Sequence, residues 1–168
     1  MKQASAFAAA LSLVVASCAL AQPALAQNAG QIAAAARGAS CPGCNLFQAD
    51  LTYRELGGRN FSRARLRQAD LSFGTFSRTN FSGADLRDLN AAGAVFSGAN
   101  FAGANLANAT LVGSHLEGAN FTGATLTGVN LGGAEMRTAR GLSQRQLSQA
   151  CGDQATMLPA GLSVRPCR

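Results

Sequence analysis

Cys41 and Cys44 bracket Pro42-Gly43, a spacing shared by redox-active dithiols and by half of a zinc site. Cys151 and Cys167 bring the cysteines outside the first 26 residues to four. A redox C-x-x-C normally opens a helix in an α/β fold, a four-cysteine zinc site needs both pairs to meet, and haem attachment needs histidine where Asn45 stands. His115 is the only histidine and has no evident carboxylate neighbour, so it reads as a solvated surface residue. No nucleophile–base set and no phosphate loop can be assembled, which predicts neither an enzyme nor a cofactor. The residues best equipped to bind are arginines. Seven of thirteen fall between Arg54 and Arg87, and Asp50, Glu55, Asp70, Asp85 and Asp88 are mixed among them.

What must position these residues is a five-residue period. Counting by fives from Leu46 through Leu51, Leu56 and Phe61 to Met136 gives nineteen centres, eighteen large and apolar, without an insertion or deletion. Ala stands two residues before eleven of these centres, Asn, Asp or Thr usually stands one before, and Gly dominates two after from Gly93 to Gly133. A step of five scatters around a helix at about 100° per residue and alternates faces on an unbroken strand. The chain must therefore turn once per repeat, and Gly and Asn tolerate the backbone angles that such corners demand.

This pattern resembles the pentapeptide repeat family, commonly written A-(D/N)-L-x-x, over Leu46 to Met136. The resemblance implies an all-β solenoid, a right-handed quadrilateral β-helix in which each repeat forms one side and four make a coil. The sequence carries its own test of four sides, because residues twenty apart should then stack. Phe61, Phe81, Phe101 and Phe121 match, as do the preceding Asn60, Asn80, Asn100 and Asn120. Leu46, Leu66, Leu86, Leu106 and Leu126 line a second side, and Leu56, Phe76, Phe96, Leu116 and Met136 a third. The remaining side has one defect, Ala91, preceded by Leu89 where Ala is usual. This exchange of large and small predicts that Leu89 fills the volume Ala91 leaves. Arg54 and Arg59 occupy slots that normally face inward, which predicts a loose first coil whose edge splays open or meets the N-terminal segment.

Residues 1–26 read as an export signal, with Lys2, an apolar run and an Ala24-Leu25-Ala26 cleavage site. "VASC", ending at Cys18, resembles a lipobox and offers lipid anchoring as the rival processing. Residues 27–40 read as a flexible linker, 41–138 as the β-helix and 139–168 as a C-terminal cap. The cap contains a helix at about 143–151, with Ser143 as N-cap, Gln146 completing a capping box, a Leu142–Leu147 staple and Gly152 as a stop. Its closing "TMLPAGLSVRPC" resembles a tail found after exported pentapeptide repeats. Nearly five coils stand roughly 20–25 Å tall at the strand spacing. That keeps the two cysteine pairs apart and predicts disulfides Cys41–Cys44 and Cys151–Cys167.

Without its signal the chain keeps thirteen arginines against eight acids, a net charge of +5. On the four-sided register Arg65, Arg67 and Arg87 share one side with Arg63 at its corner, a candidate anion-binding face. The expected role is a non-catalytic exported scaffold or binding module, periplasmic or secreted, with no transmembrane span. Its expected partner is a protein or an envelope polyanion rather than nucleic acid. The alternative comes from the family resemblance, which includes members that protect DNA gyrase by imitating DNA. Such imitation needs an acidic surface and a cytoplasmic location, and a basic chain with an export signal speaks against both.

Overall fold

Backbone bridges along the repeats of this protein join residues twenty positions apart, one per repeat. The computed structural model describes residues 28–168; the expected export signal over 1–26 and Cys18 lie outside the described residues. Parallel bridges join Asn45 to Arg65, Asp50 to Asp70, Glu55 to Thr75 and Asn60 to Asn80, and the register continues unbroken to Asn120 with Arg140. In one such link Leu66 N donates to Asp85 O at 2.8 Å and Asp85 N donates to Ala64 O at 2.9 Å. Each bridge is one residue long because the chain turns at once. The result is a four-walled coil, and the walls are named here by their first centres: Leu46, Leu51, Leu56 and Phe61.

All nineteen centres are buried, including Ala91. The Phe61 wall holds a continuous stack, with ring centroids 5.8, 5.4 and 5.2 Å apart from Phe61 through Phe81 and Phe101 to Phe121. Phe96, on the neighbouring wall, meets Phe81 and Phe101 edge-on at 6.0 and 5.3 Å. Aromatic contacts of this kind add about 0.5–1.5 kcal/mol each beyond burial. Volume is matched across each wall. Leu89 is buried beside Ala91. Gly74 is held small by Phe76, whose Cε2 would lie 2.6 Å from a Cβ added there. Two inward hydroxyls donate to backbone carbonyls, Thr79 Oγ1 to Leu56 O in the preceding coil and Ser114 Oγ to Leu111 O in its own turn.

The corners rest on a backbone twist and, wherever Asn or Asp precedes the centre, on a side chain as well. The Asn or Asp before a centre accepts from the amide two residues on, as Asn100 Oδ1 does from Ala102 N at 3.1 Å. The same asparagines link coils, Asn100 Nδ2 donating to Asn80 Oδ1 at 3.2 Å and Asn120 Nδ2 to Asn100 Oδ1 at 3.2 Å. Two residues past the centre the backbone enters the left-handed region, where a residue with a Cβ is disfavoured by about 1–2 kcal/mol. Gly103 and Gly113 meet that demand without strain. Gln48, Tyr53, Arg63, Gln68, Phe73, Arg78, Asp88 and Asn108 adopt it as non-glycine residues, seven of them in the first half of the solenoid.

The ends correct two sequence expectations, and at the first coil they decide between the two that were open. Residues 27–40 do not form a linker over their described part. Helix α1 (Ala29–Ala36), N-capped by Asn28, buries Ala35 and packs Ile32 and Ala36 on the open coil. The first coil has amides with no coil beneath them; Gln31 Oε1 accepts from Asn45 N at 2.8 Å and Ser40 Oγ from Asn60 N at 3.0 Å. The first coil is not splayed either, since Thr75 N and Asn80 N bond to Arg54 O and Arg59 O at 2.8 Å each. Both arginine side chains are exposed. Arg59 lies beside the N-terminal segment, its Nη2 3.6 Å from the Cβ position of Gly38.

At the far end, helix α2 spans only Gln144–Leu147, shorter than the expected 143–151, with Ser143 and Gln146 in a reciprocal capping box. It replaces the Leu46 wall in the last coil. Gln146 Nε2 donates to Phe121 O and Ala124 O, and Leu147 and Ala150 are buried. The helix stops early because Cys151 rejoins the ladder opposite Asn130. Strand β1 (Cys151–Gly152) then pairs in parallel with β2 (Arg165–Pro166) from the tail.

Replacing Leu89 with Ala should cost about 2–5 kcal/mol, the range of buried leucine deletions, while Leu89→Met should cost under about 1.5 kcal/mol. Urea unfolding of the two variants checks this; equal midpoints would mean that Leu89 does not compensate for Ala91.

Candidate anion-binding face

The Leu46 wall displays outward residues in columns set by the twenty-residue register: Asn45, Arg65 and Asp85 in one, Phe47, Arg67 and Arg87 in the next. Together with Gln68 they line a shallow surface concavity. The structure thus gathers three of the four candidate arginines. Arg63 stands apart on the corner of the Phe61 wall, outside the lining, its Cγ 3.6 Å from the Cβ position of Gly83.

The arginines are not equivalent. Arg87 grips Asp85 with two bonds, Nε to Oδ1 at 2.7 Å and Nη2 to Oδ2 at 2.6 Å. Arg67 Nε reaches Asp88 Oδ2 at 3.3 Å. Arg63 and Arg65 make no ion pair among the described residues. The hydrogen bond from Arg87 is the main force holding the Asp85 carboxyl below its ordinary range, ahead of the opposing effect of burial, and the same contact raises Arg87. Arg65 is thus the guanidinium of this concavity that makes no ion pair among the described residues, and the Phe47 ring also lines the concavity.

The remaining candidates sit elsewhere. Cys41 and Cys44 are bonded, Cα atoms 5.5 Å apart, at the N-terminal end; Cys151 and Cys167 are bonded, 4.8 Å apart, at the other. No group of His, Cys, Asp and Glu able to hold a metal ion occurs among the described residues, and no helix there is long and apolar enough to cross a membrane. His115 does have a carboxylate neighbour, Glu135 Oε2, 2.8 Å from Nδ1. Glu135 is twenty residues on, so the register itself was the signal. The pair Tyr53 and Phe73, exposed at a corner with centroids 5.4 Å apart, is a further feature that sequence reasoning missed.

The sequence pattern of pentapeptide repeats matches in eight copies spread over residues 44–137, more than half of the chain. The protein belongs to the pentapeptide repeat family. Among solved structures it resembles HetL of Nostoc sp. strain PCC 7120, a pentapeptide repeat protein involved in heterocyst differentiation regulation. That match has 30% identity and a TM-score of 0.39, and covers 73% of this chain and 58% of HetL. Rfr23 from the cyanobacterium Cyanothece 51142 matches at 26% identity and TM-score 0.37, over 77% of this chain and 97% of its own. A trypsin-treated variant of QnrB1, a plasmid-mediated fluoroquinolone resistance protein, matches at 24% and 0.32, over 70% and 79%. No curated protein matches the chain.

Several outward carboxylates are held low by the corner hydrogen bonds. Burial works to raise Asp70, and bonds from Ser72 and Asn90 outweigh it; Thr138 lowers Glu117. A carboxylate depressed in the fold stabilises it above its unfolded pKa, here near 3.8 for Asp and 4.5 for Glu, and that contribution is lost as pH falls through the lowered value. Stability to urea should therefore hold from pH 7 to 5 and decline toward pH 3. Asp70→Asn together with Asp85→Asn should flatten that decline, and an unchanged pH profile would refute the assignment.

Proposed function

We propose that this protein is a non-catalytic binding scaffold, a right-handed quadrilateral β-helix exported to the periplasm or beyond, whose Leu46 wall recognises an anionic group on a partner. The observation carrying this reading is Arg65, the guanidinium in the concavity that makes no ion pair among the described residues, while Arg67 and Arg87 in the next column each meet a carboxylate. The interior is filled by nineteen buried centres, so recognition falls to the outer walls. A disulfide at each end suits an oxidising compartment. The partner class is an envelope polyanion or an acidic protein surface. The gyrase reading gains nothing from the wall, whose unpaired charge is positive where DNA imitation requires negative.

Retention of the full chain on an immobilised sulfated polyanion tests the proposal. Arg65→Gln should elute at clearly lower salt than wild type and Arg63→Gln at intermediate salt, while Arg87→Gln combined with Asp85→Asn, which removes the ion pair without changing net charge, should elute close to wild type. Equal losses from Arg65→Gln and Arg63→Gln would mean that net charge, not the wall, governs binding. In a gyrase supercoiling assay the protein should neither inhibit nor protect.

A further inference from the structure

We propose that the corner carrying Tyr53 and Phe73 is a second binding surface, one that receives a cationic side chain, arginine or lysine, from a partner protein. The two rings lie nearly parallel, 13° between planes, and are 73% and 59% exposed. Neither contributes to the core. Both stand at left-handed backbone positions, φ 57° and 58°, whereas the same corner in the next three coils has Gly93, Gly113 and Gly133. The ring of Phe73 lies over Gly93, where an added Cβ would be 2.9 Å from Cδ1 and Cε1. Phe73 is thus backed by Gly93 on one side and Tyr53 on the other, which leaves Tyr53 as the open end of the stack.

Charge selects the occupant. Asp50 and Glu55 take the outward ladder positions on the two sides of Tyr53, and Asp70 does the same before Phe73. Within residues 50–55 and 70–75, which form this corner, these three carboxylates stand against one cation, Arg54, which lies near enough to Asp50 to help lower its carboxyl. Bonds from the Thr52 hydroxyl and amide hold the Asp50 carboxyl low, which keeps it ionised. An exposed ring face flanked by carboxylates attracts a guanidinium or ammonium through its quadrupole and through the charges together. An anion is repelled here, and a neutral apolar partner would have no use for the carboxylates. The site stands apart from the Leu46 wall and does not depend on what that wall binds.

The chain has one tyrosine and no tryptophan, so fluorescence excited selectively in tyrosine, beyond the absorption of its phenylalanines, reports on this corner alone. The full chain is titrated with N-acetylated, C-amidated triarginine, and in parallel with triglutamate and with a neutral trisaccharide of N-acetylglucosamine. Triarginine alone should give a saturable change. Asp50→Asn with Glu55→Gln should raise its apparent Kd at least about three-fold, since Asn retains the acceptor that Thr52 uses. Phe73→Gly, which relieves the left-handed strain, should leave the melting temperature no lower while weakening the response. No saturable change with triarginine, an equal or larger one with the trisaccharide, or an unaltered Kd in the double variant would overturn the proposal.

Discussion

The amides on either side of each bridge find their carbonyls one coil away, and that pairing rule fixes the rest of the molecule. Asn80 N bonds to Arg59 O while Phe81 N bonds to Asn100 O, so consecutive residues tie each wall to the coils below and above. Because the walls are one bridge long, cohesion cannot come from long strands. It comes from repetition of the bridge and from side chains that meet on the axis. A coil that lost its neighbour would expose both its amides and its core. The two ends show how this is met: side chains of Gln31 and Ser40 stand in for a missing coil at one end, and Gln146 covers carbonyls at the other.

The corners impose a different constraint, and the chain meets it unevenly. Glycine fills nearly every left-handed position after Asp88, which gives smooth edges. Up to that point, Gly58 and Gly83 apart, the same positions carry glutamine, arginine, aspartate, tyrosine and phenylalanine at a conformational cost. Both surfaces argued to bind lie in this first half. Strain accepted where side chains are displayed, and avoided elsewhere, is the pattern expected when display has a function.

Most of the architecture was legible because it is periodic. Steps of five and twenty identify the centres, the four walls and the phenylalanine stack, and the exchange of Leu89 with Ala91 reads as a volume argument before any coordinate is known. What escaped was non-periodic or depended on side-chain reach. The alanine-rich stretch at 29–36 is too short to persist as an isolated helix, and only docking on the open coil stabilises it. The pairing of Arg87 with Asp85 separates it from Arg65, although both share one wall. His115 and Glu135 are strangers along the chain and neighbours one coil apart. Tyr53 and Phe73 were overlooked because the repeat pattern directs attention inward.

The fixed register also governs how such a chain can change length. Inserting or deleting twenty residues moves the ends apart or together and leaves every wall facing its former direction. Inserting five preserves the local motif yet rotates everything downstream by a quarter turn, carrying the remaining side chains to a different azimuth. Growth by whole coils therefore conserves the relative orientation of surfaces, and growth by single repeats redistributes them around the barrel.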